Sequence, residues 1–441
     1  MSASDDGTAK KKRRTTTKGY RPSREESVGV GVGGWGGAGR SAPPPTSSSG
    51  DEDRDDLLGE DPNKKSDERR ASSGRGSVRW DPCKVPQSQL QSMLMTLGLG
   101  DGNNIGTSGG RIALDCSVRT TRQGHVVIST TDFFFPLVDS PYLQGRIGAA
   151  NVLSDLYAEG VGECDHVLML LAACVGMSDD HRAICTREMV RGFNDACIEA
   201  GTVVTGGQTV LNPWPVIGGV ATTICSEGEY VRSDGARVGD VVVLTKPLGT
   251  QVAVNVHEWR RRATTEEEAG SSSSSSLSFG ASRWNELTRR GILTTSDAED
   301  MMHAACRSMS RLNRNAGSIM VRHNAHAGTD VTGFGVLGHA QNLMDNQREV
   351  VGMEIHSLPC IAKTARVDGS GVFDFRLTRG YSAETSGGLM ICMSEDDAVS
   401  YCEELEALDG APSWIIGRVV ADPERKARIT EDVEIIEVDY E

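Results

Sequence analysis

Four short cassettes of acid, threonine and glycine constrain this chain most: Thr130-Thr131-Asp132, Asn151-Val-Leu-Ser-Asp155, Thr205-Gly206-Gly207-Gln208-Thr209 and Thr329-Asp330-Val-Thr-Gly-Phe-Gly335. Hard cations are held by a few carboxylates together with phosphate oxygens, and glycine-rich backbone lets amide N–H groups approach a phosphate closely. A chain offering both repeatedly reads as one that holds a metal-bound polyphosphate. Carboxylates gathered so closely would repel one another unless a cation sat among them.

The cassettes fall at points an α/β fold can use. Ile112 to Val118 and His125 to Thr131 read as β-branched strands, so Asp132 is expected just past a strand end, where open α/β sheets build their sites. Asp115, at the neighbouring strand, offers a second acid. Gly145 to Ala158 has the small-residue rhythm of a packed helix, which predicts that Asn151 and Asp155, four apart, share one face. A second helix is predicted over Asp179 to Ala200, a buried strand over Val216 to Cys225 and a fresh strand at Val241 to Leu244. Gly333-Phe-Gly-Val-Leu-Gly338 opens a helical stretch, and a helix N-terminus presents free N–H groups to an anion.

At 441 residues the chain exceeds what one core normally organises. Residues 1–76 carry almost no apolar run and are expected to form a disordered tail. Domains are expected over 77–235 and 236–441, and the Glu, Gly and Ser stretch 263–282 is expected to be a disordered insertion.

Composition removes several function classes. A net charge of −15 argues against wholesale binding to nucleic acid or anionic membrane, so an anionic ligand must be met locally by metal and lysine. No apolar stretch is long enough to span a bilayer and the N-terminus lacks a secretory core, which predicts a cytoplasmic protein. Eleven cysteines with no Cys-x-x-Cys pair fit reduced thiols. No P-loop sequence is present. His323 and His326 lack the thiol or acid partners of a zinc site.

Taken together with Cys83-Lys-Val-Pro-Gln87, Gly145-Arg-Ile-Gly-Ala-Ala-Asn151, Leu244-Thr-Lys-Pro-Leu-Gly249 and Glu384-Thr-Ser-Gly-Gly388, the cassettes resemble the selenophosphate synthetases of eukaryotic type, within the superfamily that includes aminoimidazole ribonucleotide synthetase. The resemblance covers about residues 83 to 441. It implies an N-terminal α/β domain whose sheet forms a barrel with that of a second subunit, followed by an α+β domain. It implies conversion of ATP, selenide and water to selenophosphate, AMP and phosphate, with Mg²⁺ as cofactor, a homodimer, and a selenium-delivery protein as a partner. Carried over residue by residue, Asp115, Asp132, Asp155 and Asp330 hold the metal, Lys84 contacts phosphate, and Asp132, Asn151, Thr205, Gly206, Gly207 and Gln208 line the nucleotide site.

One position departs from the family. Where the family has a catalytic cysteine or selenocysteine three residues before the lysine, this chain reads Asp81-Pro82-Cys83-Lys84. A carboxylate cannot serve as a soft selenium-handling nucleophile. Two readings follow: an active synthetase whose residue 81 is natively selenocysteine or cysteine, or whose Cys83 substitutes as the thiol, and a nucleotide-binding regulatory paralogue without selenide chemistry.

Overall fold

The computed structural model describes residues 115–268 and 278–439. Asp81, Cys83 and Lys84, the tail 1–76 and the glycine-rich stretch before Asp115 lie outside the described residues.

Two sheets organise the chain. The first has five strands, β1 (Ser117–Thr120), β2 (Val126–Phe134), β3 (His166–Cys174), β4 (Val204–Asn212) and β5 (Val216–Cys225), in the order β1-β2-β5-β3-β4. The second has six, β6 (Val241–Leu244), β7 (Ala327–Asp330), β8 (Val351–Ile361), β9 (Leu389–Met393), β10 (Trp414–Ala421) and β11 (Ala427–Val438), in the order β11-β8-β10-β6-β9-β7.

Between the sheets runs α1 (Pro141–Ala158), capped by the Ser140 hydroxyl and started by proline at its first position. From Ile147 to Ala158 every residue is buried. Its polar Asn151, Ser154 and Asp155 are buried together with its apolar residues, so this half of the helix is enclosed on all sides. Its Leu153 and Leu156 join the core beneath the first sheet, while Ile147 joins the core of the second. α2 (Asp179–Glu199) crosses α1 so closely that a Cβ on Gly145 would lie 2.0 Å from the Met189 carbonyl oxygen, and one on Gly192 would lie 1.9 Å from that of Tyr142. Only glycine fits at either position.

The remaining helices belong to the second half: α3 (Thr250–Glu268), α4 (Phe279–Arg289), α5 (Thr295–Ser310), α6 (Arg314–Met320), α7 (Gly335–Asp345), α8 (Thr364–Gly369) and α9 (Glu395–Asp409). Strands β6 and β9 are covered on both faces. Val242 and Leu244 point into one core and Val243 into the other, which explains their unbroken apolar runs.

Two expectations need correction. Asp132 does not follow β2 but lies inside it, because pairing with β5 continues through Phe134 opposite Ile217. α3 runs to Glu268, six residues into the stretch expected to be loop, because Ala263 is buried against α3's neighbours and the Glu266 carboxylate accepts the Ser278 N–H. β2 is interior and pairs with β1 and β5. Among the described residues the apolar edge belongs to β4, which pairs there only with β3 and leaves Val210 and Leu211 exposed.

Candidate active site

The site is assembled around α1. Helical spacing puts Asn151 and Asp155 on one buried face, beneath the C-terminal half of β2, and the Thr130 hydroxyl donates to the Asp155 carboxylate. Asn151 donates through Nδ2 to Asp132 Oδ2 at 2.6 Å, and the Phe133 N–H donates to Oδ1 of the same carboxylate at 2.8 Å. The second sheet delivers Thr329 and Asp330 at the end of β7. The Thr329 hydroxyl donates to Asp115 at 2.7 Å, across 214 residues of sequence.

Four acids from four segments thus converge, and their electrostatics record it. The Asp155 carboxyl is held well above the usual carboxylate range, first by burial, then by the charges of Asp330, Asp115 and Asp132, against the Thr130 hydrogen bond. The ligand atoms of Asp115, Asp330 and His339 lie within 4.8 Å of one another. His339, on α7, escaped the sequence reading. Its Nε2 accepts the N–H of Thr332 at 3.1 Å and of Phe334 at 3.4 Å, which ties the Thr332-Gly333-Phe334 turn to the helix it opens. That nitrogen is engaged by backbone, so a cation would find chiefly carboxylate oxygen here. Crowded acids with hard oxygen donors fit Mg²⁺.

Glu159, one turn beyond Asp155, is buried and accepts the Ser233 hydroxyl at 3.1 Å; burial, followed by the charge of Asp115, pushes it up to about 8. The folded protein therefore keeps a proton that the unfolded chain, at the ordinary glutamate value of 4.5, has lost. The resulting stability is fully present below pH 4.5 and is lost as pH rises through about 8. Glu159→Gln, which keeps the acceptor oxygen without the charge, should melt higher than the wild type at pH 8, with the advantage shrinking toward pH 5. Parallel melting curves across that range would refute the assignment.

Beside the acids opens a cavity of about 320 Å³, with Phe134, Val254 and Met309 on its apolar side and Asp132, Asn151 and Glu384 on its polar side. The Glu384 carboxylate accepts the N–H groups of Gly249 at 2.7 Å and Thr250 at 2.9 Å, capping α3, and burial pushes it up to about 7. Cys116, next to Asp115, has its thiol pushed well up, by burial and then by the charges of Glu159, Asp155, Asp115 and Asp330. Such a thiol stays protonated and is no nucleophile.

Asp115, Asp132, Asn151, Asp155 and Asp330 are brought together. Thr205, Gly206, Gly207 and Gln208 are not. They lie on exposed β4, three strands from β2, or about 14 Å at the usual strand spacing. His323 and His326 are hydrogen-bonded separately, to Glu404 and Asp240.

The AIR synthase related protein family matches this chain twice, its N-terminal domain over residues 113–225 and its C-terminal domain over 237–430. Selenide, water dikinase of Dictyostelium discoideum is 44% identical over 364 residues, spanning 81% of this chain and 92% of that protein. Selenide, water dikinase 2 of Homo sapiens is 43% identical over 397 residues, spanning 83% of this chain and 84% of that protein. Thiamine monophosphate kinase of Aquifex aeolicus superposes with a TM-score of 0.51 at 16% identity, over 79% of this chain and 98% of its own. A chain of the HypE–HypF complex does so with a TM-score of 0.52 at 15% identity, over 76% of this chain and 95% of its own. At those identities the structural likeness is one of fold.

Proposed function

Because this chain belongs to the selenide, water dikinase family of AIR synthase related proteins, we propose that it makes selenophosphate, AMP and phosphate from ATP, selenide and water. The observation that carries the reading is the convergence of Asp115, Asp132, Asp155 and Asp330 beside a cavity. Phosphoryl transfer asks for charge neutralisation and positioning more than for covalent chemistry, and this arrangement supplies both.

The four carboxylates would hold Mg²⁺, which neutralises polyphosphate charge when bound. Asn151 orients Asp132, and Lys84 supplies a point charge to a phosphate. Thr205, Gly206, Gly207 and Gln208 serve the nucleotide from β4. Their separation from the acids within one chain, with the exposed Val210 and Leu211 beside them, supports a homodimer in which a second copy completes an intersubunit barrel along this edge. The domains divide at about residue 235, between β5 and β6. No helix among the described residues is long and apolar enough to cross a membrane, in keeping with work in the cytoplasm, where a delivery protein would bring selenium.

No observation favours the regulatory-paralogue reading. The test is selenide-dependent AMP formation with Mg²⁺, measured on a sample whose sedimentation mass is also determined. AMP formed in step with selenide by a species of about twice 47.2 kDa is expected. AMP formation indifferent to selenide sinks the activity, and a strict monomer sinks the assembly.

A further inference from the structure

Lys246, two residues past β6, is wholly buried, and among the described residues its amine has no carboxylate in an ion pair. Nζ donates instead to two main-chain carbonyls, that of Arg311 at 2.7 Å and that of Ser386 at 2.9 Å. Burial, and then the Arg311 guanidinium, draws the ammonium well below the usual lysine range. Both carbonyls accept from the amine, so its hydrogen bonds are spent on main chain. Burying such a group is costly, and an apolar side chain of similar shape would fill the space at less cost. Its presence there points to a use for the donors.

The use lies in the turn Glu384-Thr-Ser-Gly-Gly388. Ser386 sits in the left-handed region at φ 47°, a conformation that persists only where the surroundings impose it. Its hydroxyl is buried without a hydrogen-bond partner, so the position serves through its main chain. The Ser386 carbonyl takes Lys246, and the Ser386 N–H donates to Asn151 Oδ1 at 2.9 Å. That bond fixes which way the Asn151 amide faces and so aims Nδ2 at Asp132. Asn313 holds the same turn by donating to the Gly387 carbonyl at 2.8 Å and to the Ser154 hydroxyl at 2.9 Å. At Gly388 a Cβ would lie 2.4 Å from the Lys246 backbone nitrogen, so the turn is pressed against the segment that carries the lysine.

We propose that Lys246 is a positioning residue for nucleotide binding, acting through the main chain of Ser386 and the amide of Asn151 on the carboxylate of Asp132. The proposal rests on the reading that Asp132 serves the metal-bound phosphates. Outer groups that orient such ligands are typically worth about 10- to 100-fold in affinity or activity.

The test is Mg·ATP affinity by calorimetric titration for Lys246→Met, Asn151→Ala, the double variant and Asp132→Asn. Lys246→Met should weaken binding by about 10- to 100-fold, and the double variant should bind no worse than about threefold below the weaker single one, as groups acting in series do. Losses that multiply overturn the relay. Asp132→Asn separates the two ideas. Unchanged affinity there refutes the site reading itself, whereas weakened affinity with multiplying losses refutes the relay alone. Should Lys246→Met fail to fold, hydrogen exchange on the wild type decides. The Ser386 amide should exchange as slowly before nucleotide is added as the amides of β9, and exchange at the rate of an open loop overturns the proposal.

Discussion

Asp330→Asn should lower Mg²⁺-dependent ATP consumption by about 10²- to 10³-fold, the usual cost of removing one preorganised group that stabilises transferring charge. The same change should leave the melting temperature within about 2 °C of the wild type, a shift of roughly 1 to 2 kcal/mol for a chain of this size. The two halves of the expectation share one cause. Asp330 is 1% exposed and raises the proton affinity of Asp155, so the acids oppose one another in the folded protein without metal. Removing one relieves repulsion while weakening the hold on a cation. Chelation of divalent metal should reproduce the kinetic loss in the wild type. Wild-type turnover by Asp330→Asn, or a collapse in stability that accounts for the loss, would show the cluster to be structural.

The second large effect is a gain. Asp81→Cys should raise selenide-dependent AMP formation by at least about 10²-fold over the chain as written, a conservative figure beside the roughly 10⁶-fold that loss of a nucleophile costs elsewhere. The motive is chemical, since a thiolate or selenolate attacks or carries selenium and aspartate does not. Cys116 is a poor substitute, since burial first of all pushes its thiol up. The sequence pattern suggests why Asp81 stands there. Unrelated residues lie just upstream and family sequence begins at Cys83, as when an in-frame UGA codon is spliced around in a gene prediction. A full transcript should therefore contain a UGA or cysteine codon shortly before the codons for Cys83 and Lys84. If the transcript encodes Asp81 and Asp81→Cys gains nothing, Cys83 becomes the thiol to test.

Much of this site was legible because its residues sit in contiguous cassettes whose chemistry is local. Asn151 and Asp155 needed only a helical period, and Asp330 needed only the glycine turn that follows it. What escaped depends on long-range partners. Lys246 is an ordinary lysine until Ser386, 140 residues on, places a carbonyl against it. His339 is a histidine on an apolar helix until the backbone of Thr332 and Phe334 meets its ring. Strand order was equally hidden. Nothing near Thr205 announces that its strand lies at the sheet's edge, and the β-branched run from Val126 reads the same whether bordered by solvent or by β5. The helical extension through Glu268 was masked by glutamates and threonines that resemble a linker, while Ala263 alone signals a buried face.

The helix from Pro141 to Ala158 has a consequence for how the protein comes apart. Its Ile147 is interior to one half and its Leu153 and Leu156 to the other, so neither half possesses a complete interior without it. Melting either sheet bares apolar residues of a segment that is buried along most of its length, and so undermines the other sheet. The two family-matched regions, separable on paper at the connection before Val241, are thus thermodynamically one body: they should unfold in a single cooperative step, and a chain divided there would yield two aggregation-prone pieces in place of two domains.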